Sequence, residues 1–330
     1  MKRKRAWLIP FFAVIVAVVF VGMQFQEEQA SLLSSSEQAT KTTTTASTSE
    51  ESSALRTTTK VKMVKVYVDP ALYDTEEESA ADYVSVRETT SDDSTILTKL
   101  HRGEWATWLA TEGDYVKVRA DSGKEGYLPK ENAEIKEVTQ TEAPRTLSEL
   151  HIVLDAGHGG IDSGAISPDE SVYEKDLTLK TVKAVGQLLS KNGVKVTYTR
   201  DSDEMLELSE IVTLSQAAQP DVFLSFHYDN YDTDNGWQGF TTYHYYQAGA
   251  ELAQLVSDGL GGTLGLSNNG VRTGNYYVIR ENNQPVSLLL ELGYLNSDAD
   301  LAEITQEGFP DKVAQGILAA LKNYVAQNNA

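Results

Sequence analysis

The sequence predicts an α/β domain, built on a mixed and mostly parallel sheet with helices on both faces. A small all-β domain and an apolar N-terminal helix precede it. Three observations carry this. Beyond residue 150, strand-like apolar runs alternate with segments of helical period. Between residues 61 and 138, short alternating runs recur between turn residues. The first 23 residues are a basic cluster followed by an apolar run close to the ~20 residues that span a bilayer.

MKRKRAWLIPFFAVIVAVVFVGM, residues 1–23, is expected to reach a membrane as a transmembrane or signal helix, with its basic end in the cytoplasm and everything after Met23 outside. QFQEEQA follows where a small-residue cleavage motif would stand, so an uncleaved anchor is preferred over a removed signal. Residues 24–60 are rich in Ser and Thr and poor in apolar side chains. They read as a disordered tether. Residues 61–138 hold the segments VKVYV, YVSVRE, ILTKL, WATWLA, YVKVRA and GYLP. The proline-containing stretch 139–149 is a linker, and residues 150–330 form the α/β domain. There IVLD is a strand, and a helix runs from about Glu174 to Ser190 with Leu177, Thr181, Val185 and Leu188 on one face. VKVTYTR is a strand, Leu208 to Ala218 a helix, and DVFLSFH and GFTTYHYY are strands. Ala248 to Leu260 is a helix, VSLLLELG a strand, and Asp311 to Ala326 the last helix.

With 48 acidic against 28 basic residues, the net charge is -20, the wrong sign for tracking a phosphate backbone, so nucleic acid is excluded as a partner. No cysteine is present, which removes disulfides, thiolate catalysis, cysteine-bound zinc and cysteine lipidation. A metal here must sit on histidines and carboxylates. The chain is expected to act as a monomer.

Ligands of open α/β sheets bind beyond the carboxyl ends of the strands. His158 follows IVLD, His227 ends DVFLSF, Glu291 ends VSLLL, and Glu174 opens a helix just behind the glycine loop. Singly, each has an ordinary structural reading as a surface histidine, a helix-terminal acid or an ion-pair partner. Together, two histidines and a carboxylate form a hydrolytic zinc set, and a second carboxylate can serve as base. An acid inside LLLEL is notable because an unpaired buried carboxylate is costly.

At these residues the chain resembles the zinc-dependent N-acetylmuramoyl-L-alanine amidases of the amidase-3 family. The resemblance runs from Leu150 to Tyr324 through LDAGHGGIDSGA, the Glu174-Lys175-Asp176-Leu177 helix start, TRDSDEMLEL, DVFLSFHYDN and LLLELGYLNSDAD. It implies one zinc held by His158, Glu174 and His227, with Glu291 as catalytic glutamate. The substrate it implies is peptidoglycan, cut at the amide between the lactyl group of N-acetylmuramic acid and L-alanine. Gly157, Gly159 and Gly160 would let the backbone turn so that His158 faces the metal. Asp155 would orient a ligating imidazole or cap the turn. His244 has two readings, facing substrate or standing in solvent, of which solvent is preferred, and His101 and His151 are expected in structural roles.

The sequence departs from the family where Glu210 is followed by Ile211, at Ser215-Gln216 and at His227-Tyr228-Asp229, positions that bear on substrate preference. The short connection from Asn230 to Gly239 leaves no room for a blocking helix, so the site is expected to be open without an activator.

The stretch YVSVRETTSDDSTILTKLHRGEWATWLATEGDYVKVRADSGKEGYLP resembles a bacterial SH3-like domain, a family that binds cell-wall peptide or acts as a spacer. Its altered opening, Ser85-Val86-Arg87-Glu88, leaves open whether Trp105, Trp108, Tyr115 and Tyr127 meet ligand or form core. The leader, tether and wall-type domain suit the outer surface or cell wall of a Gram-positive bacterium. Two rival functions stay open at this stage: a zinc peptidase cutting within the stem peptide, and a non-catalytic wall-binding protein.

Overall fold

The computed structural model describes residues 56–68, 83–282 and 286–329. The expected N-terminal helix and the tether up to Leu55 lie outside the described residues, among which no helix is long and apolar enough to cross a membrane.

Seven strands form the first sheet: β1 (Thr58–Val66), β2 (Tyr83–Arg87), β3 (Ile96–His101), β4 (Trp105–Glu112), β5 (Tyr115–Arg119), β6 (Glu125–Pro129) and β7 (Ala133–Thr141). They pair antiparallel in the order β3-β2-β6-β5-β4-β1-β7. Alternation does the sorting. Val84 and Val86 of YVSVR, and Val116 and Val118 of YVKVR, turn inward to meet Val64, Val66, Leu100 and Leu128. Trp105, Trp108, Tyr115 and Tyr127 are half-buried at the margin of this core. The expected edges at residues 61 and 138 fall inside the sheet, because Thr58 pairs with Thr141 and Lys60 with Thr139. A Ser/Thr-rich stretch looks like linker by composition, yet β-branched threonine suits an extended, exposed strand.

The second sheet has the order β12-β11-β13-β10-β8-β9. Its strands are β8 (His151–Ala156), β9 (Lys195–Tyr198), β10 (Val222–Asp229), β11 (Phe240–His244), β12 (Asn268–Thr273) and β13 (Val286–Tyr294). β9, β8, β10 and β13 run parallel, and β11 is antiparallel to β13. All residues of β8 and β13 are buried, as strands covered on both faces must be. The helices are α1 (Glu174–Lys191), α2 (Leu208–Ala218), α3 (Ala250–Gly261), α4 (Tyr277–Arg280), α5 (Asp298–Ile304) and α6 (Phe309–Gln327). α1, α3 and α6 contribute Val182, Val185, Val256, Leu260, Ile317 and Leu321 to the larger core, with Leu154, Leu224 and Leu290 from the sheet. On the opposite face, Ile211 of α2 and Val278 and Ile279 of α4 meet Val153, Phe223 and Leu289. β7, β12, α4 and α5 have no counterpart among the segments expected from the sequence. NNGVRT lacks apolar alternation, and helices of four and seven residues are too short to show a period.

α3 and α6 cross where two glycines meet. A Cβ on Gly259 would lie 2.4 Å from the Gly316 carbonyl oxygen. Gly259→Leu must therefore push the helices apart. It is expected to lower stability by about 1–3 kcal/mol, read as a fall in the urea midpoint at unchanged m-value.

Candidate metal centre

β8 ends at Ala156, and the chain turns outward with the Gly157 N–H donating to the Phe226 carbonyl (3.1 Å). His158 itself adopts a left-handed backbone (φ 63°), which for a residue with a Cβ costs about 1 kcal/mol or more. The glycines were expected to supply all of this turn. Gly159 and Gly160 do contribute positive φ, but Gly157 does not and serves by making space. A Cβ there would lie 2.2 Å from Cε1 of His227. At Gly164 an added Cβ would meet Glu174 Oε2 at 2.5 Å and His158 Cδ2 at 2.6 Å. Both glycines leave space that the side chains of His158, Glu174 and His227 fill.

Glu174, the first residue of α1, is only 3% exposed. Its Oε1 accepts from the Tyr228 N–H (3.0 Å) and faces His227 Nδ1 at 3.0 Å. Its Oε2 accepts from the Ala165 N–H (2.8 Å) and lies 3.1 Å from His158 Nε2. Ligand atoms of His158, Glu174 and His227 all fall within 4.8 Å of one another. Burial pushes the Glu174 carboxyl up, but hydrogen bonds and charge from the two histidines outweigh it and hold the group at about 2. For His158, burial acts downward, and Glu174 and then Asp162 overcome it to raise the imidazole to about 9.

Glu291 sits inside β13, short of the strand end expected for it, and is in register with His227 on the neighbouring parallel strand. The two side chains therefore share a face of the sheet. Burial first, then the charges of Asp229 and Glu174, push the Glu291 carboxyl well above the carboxylate range. Its Oε2 is buried with no hydrogen-bond partner. Two imidazoles, one ionised carboxylate and an acid oxygen left without a partner on the same side fit a hydrolytic zinc site, in which three protein ligands leave a position for water.

Asp162, which the sequence reading passed over, places Oδ2 2.8 Å from His158 Nδ1 and Oδ1 on the Gly164 N–H at 3.0 Å. An acid four residues after the histidine was the available signal, but in a glycine loop it reads as a turn cap. Asp155 takes neither of the two roles expected for it, orienting an imidazole or capping the turn. Buried in mid-sheet, it accepts from Thr199 Oγ1 (2.7 Å) and Ser225 Oγ (2.6 Å). Arg200 was also missed. Its buried guanidinium donates to the carbonyls of Ala156, Gly157 and Lys175 (2.8–3.0 Å), tying the His158 loop to the start of α1. His244 is buried rather than solvent-exposed, with Nδ1 3.0 Å from the Tyr246 carbonyl. His151 is structural through Thr197 Oγ1 (2.9 Å), and His101 lies edge-on to Tyr83 and Tyr245. The Asn230–Gly239 connection contains no helix.

Residues 152–323 match the family described as N-acetylmuramoyl-L-alanine amidase. A relative described as probable cell wall amidase LytH, from Staphylococcus epidermidis, is 33% identical over 233 residues, covering 69% of this chain and 77% of the relative. That from Staphylococcus aureus is 32% identical over 232 residues, with the same coverage. Among solved structures, the catalytic domain of the amidase CwlV from Bacillus (Paenibacillus) polymyxa var. colistinus superposes with a TM-score of 0.51 at 33% identity, covering 53% of this chain and 98% of that one. The amidase AmiC2 of Nostoc punctiforme gives 0.51 at 31%, covering 53% and 97%.

Two outcomes test the geometry. Asp162→Asn removes the carboxylate behind His158 and should weaken zinc binding about 10–100-fold, measured by competition titration. In metal-free protein, His158 is raised from ~6.5 when unfolded to about 9 when folded. A raised histidine stabilises below its unfolded value, and that contribution is lost as pH climbs through the folded value. The thermal midpoint of the chelator-treated protein should therefore fall between pH ~7 and ~9, and saturating zinc should flatten that fall.

Proposed function

The chain belongs to the N-acetylmuramoyl-L-alanine amidase family of amide-bond hydrolases acting on peptidoglycan, and from that premise we propose how its residues work. The bond cut is the amide between the lactyl group of N-acetylmuramic acid and L-alanine. His158, Glu174 and His227 hold one zinc ion, and Glu291 is the catalytic base. The observation that carries this reading is the buried, partnerless Oε2 of Glu291, set in register with His227 beside the three-residue cluster.

Bound zinc would supply a water of lowered pKa and stabilise negative charge on the substrate oxygen. Glu291 accepts the proton of the attacking water at its free carboxylate oxygen, and burial makes it a stronger base than an exposed glutamate. The same oxygen then returns the proton to the departing L-alanine nitrogen, so one residue serves as base and then as acid. Glu174 stays ionised throughout because both of its oxygens are held by main-chain N–H groups as well as by histidine. Arg200 and Asp162 keep the loop and ring of His158 in place.

The seven-stranded domain is read as SH3-like, supported by its short alternating strands and its order of motifs. If it takes wall peptide, the surface for it is the groove lined by Tyr83, Arg87, Asp92, Tyr115, Tyr127 and Pro129. The apolar segment before Met23 supports an exported protein held at the outer face of the membrane or in the cell wall.

Purified chain incubated with peptidoglycan should release intact stem peptides bearing a free L-alanine amine, identified by mass. Chelator should abolish release and zinc restore it. Glu291→Gln should reduce kcat about 10²–10⁴-fold while zinc still binds. Fragments cut inside the stem peptide would instead make this a peptidase, and wall binding with no release under any metal condition would make it a binding protein.

A further inference from the structure

The all-β domain grips the α/β domain at two separate points. At the N-terminal edge of the parallel strands, the Arg56 guanidinium pairs with both oxygens of Asp221 (2.8 and 3.0 Å), and Asp221 also accepts from the His151 N–H (2.8 Å). The second grip is the turn between β3 and β4. There Arg102 Nη1 donates to Glu281 Oε1 (3.0 Å), and the His101 ring meets Tyr245 edge-on at 6.1 Å. Gly103, with φ 83°, comes so close that a Cβ would lie 2.8 Å from Tyr246 Oη. Tyr246 in turn donates to the Arg280 carbonyl.

This second grip lands on a segment that cannot hold its own shape. α4 has only four residues, far below the length at which a helix is stable alone. Val278 and Ile279 root one side of it in the core. The other side is fixed by polar contacts from two directions. From α2, Gln216 Nε2 donates to the Glu281 carbonyl (3.2 Å) and Ser215 Oγ accepts from Asn282 Nδ2 (2.9 Å). A chain also runs from Arg102 to Glu281, from Arg280 Nε to the same Glu281 oxygen (2.9 Å) and from Arg280 Nη1 to Asn275 Oδ1 (2.6 Å).

Between Asn275 and Glu281 stands Tyr276, half-exposed, its ring edge-on to Tyr243 at 5.1 Å. Thr241 is the β11 partner of Glu291, so the side chain of Tyr243, two residues on, projects from the face that carries Glu291. Tyr276 thus forms the wall beside the proposed base. Burial and then the negative surroundings of Tyr243, Glu291 and Asp229 push its phenol upward, consistent with that placement.

We infer that Arg102 is a positioning residue: acting through Glu281 and Arg280, it holds the Tyr276 wall next to Glu291, so the all-β domain is part of the scaffold of the catalytic centre. The inference rests on the proposed function for its kinetic readout and on geometry alone for its structural one. It separates bracing from wall binding, because a brace matters even for a substrate too small to touch both domains.

The experiment uses full-length chain and Arg102→Ala, Arg102→Glu and Arg102→Lys variants. Two quantities are measured: kcat and KM on a soluble muramoyl-peptide, and amide hydrogen exchange across residues 274–282. Arg102 Nη1 donates to Glu281 Oε1, a bond that a lysine ammonium can also make, so Arg102→Lys should behave as wild type. The alanine and glutamate variants should lose about tenfold in kcat with exchange roughly tenfold faster in 274–282 alone, while β8 and β10 exchange as before. Unchanged exchange in 274–282 would overturn the brace. So would unchanged kcat despite faster exchange, or a lysine variant as impaired as the alanine one. If wild type fails to cleave the soluble substrate, the amidase reading suffers, and the exchange pattern alone upholds or overturns the brace.

Discussion

A carboxylate taken out of water must be surrounded by donors, and Glu174 is that carboxylate. Its two oxygens collect main-chain N–H groups from Ala165 and Tyr228 and face one histidine each. Four chain segments converge on it: the glycine loop after β8, the approach to α1, the first turn of α1 and the end of β10. The loop can approach only because Gly157 and Gly164 lack side chains, so the space for the two histidine rings is set by absent atoms. Arg200 closes the arrangement from behind by drawing the Gly157 and Lys175 carbonyls onto one guanidinium. Loss of charge at position 174 would leave the Ala165 and Tyr228 N–H groups and both histidines without their common acceptor.

The same burial has the opposite effect on Glu291. Both acids are desolvated, yet Glu174 is driven down by two imidazoles, while Glu291 has nothing to compensate one of its oxygens and is driven up. Two carboxyl groups with diverging affinities for protons are what a ligand and a base require of one site. The sheet sets the separation of roles. β10 and β13 run parallel and in register, so His227 and Glu291 stand side by side without any loop to position them. Tyr243, Tyr276 and the contacts from Arg102 extend this side of the site outward to the all-β domain.

Much of this was legible in the chain. LDAGHGGIDSGA, DVFLSFH and VSLLLELG announced the strands that carry the candidate residues, and His158, Glu174 and His227 do come together, while Glu291 lies inside its strand and not at its end. The apolar runs were readable because burial on both faces leaves no polar position in a strand. The failures are equally specific. His244 sits in an alternating run whose face cannot be known before α3 is packed against it. Asp155 and Asp162 are both acids beside the glycine loop, and only the left-handed turn at His158 decides that the second one reaches the imidazole. β1 and β7 run past the expected domain edges at residues 61 and 138 because two polar strands, each carrying threonines, stabilise each other, a pairing no single segment reveals.

By itself, then, the sequence determined the order and type of the main elements, the absence of thiol chemistry and the residue types available to a metal. These follow from local periodicity and composition. The tertiary structure decided which acid is held ionised and which is starved of partners. It also decided which glycines make room, which aspartate backs the histidine, and that a turn of the all-β domain clasps the segment beside the proposed base. Those outcomes depend on contacts such as Glu174 with His227, 53 residues apart, and Arg102 with Glu281, 179 apart. Desolvation and hydrogen bonding act over a few ångströms of space, and only the packed chain brings such groups within that reach.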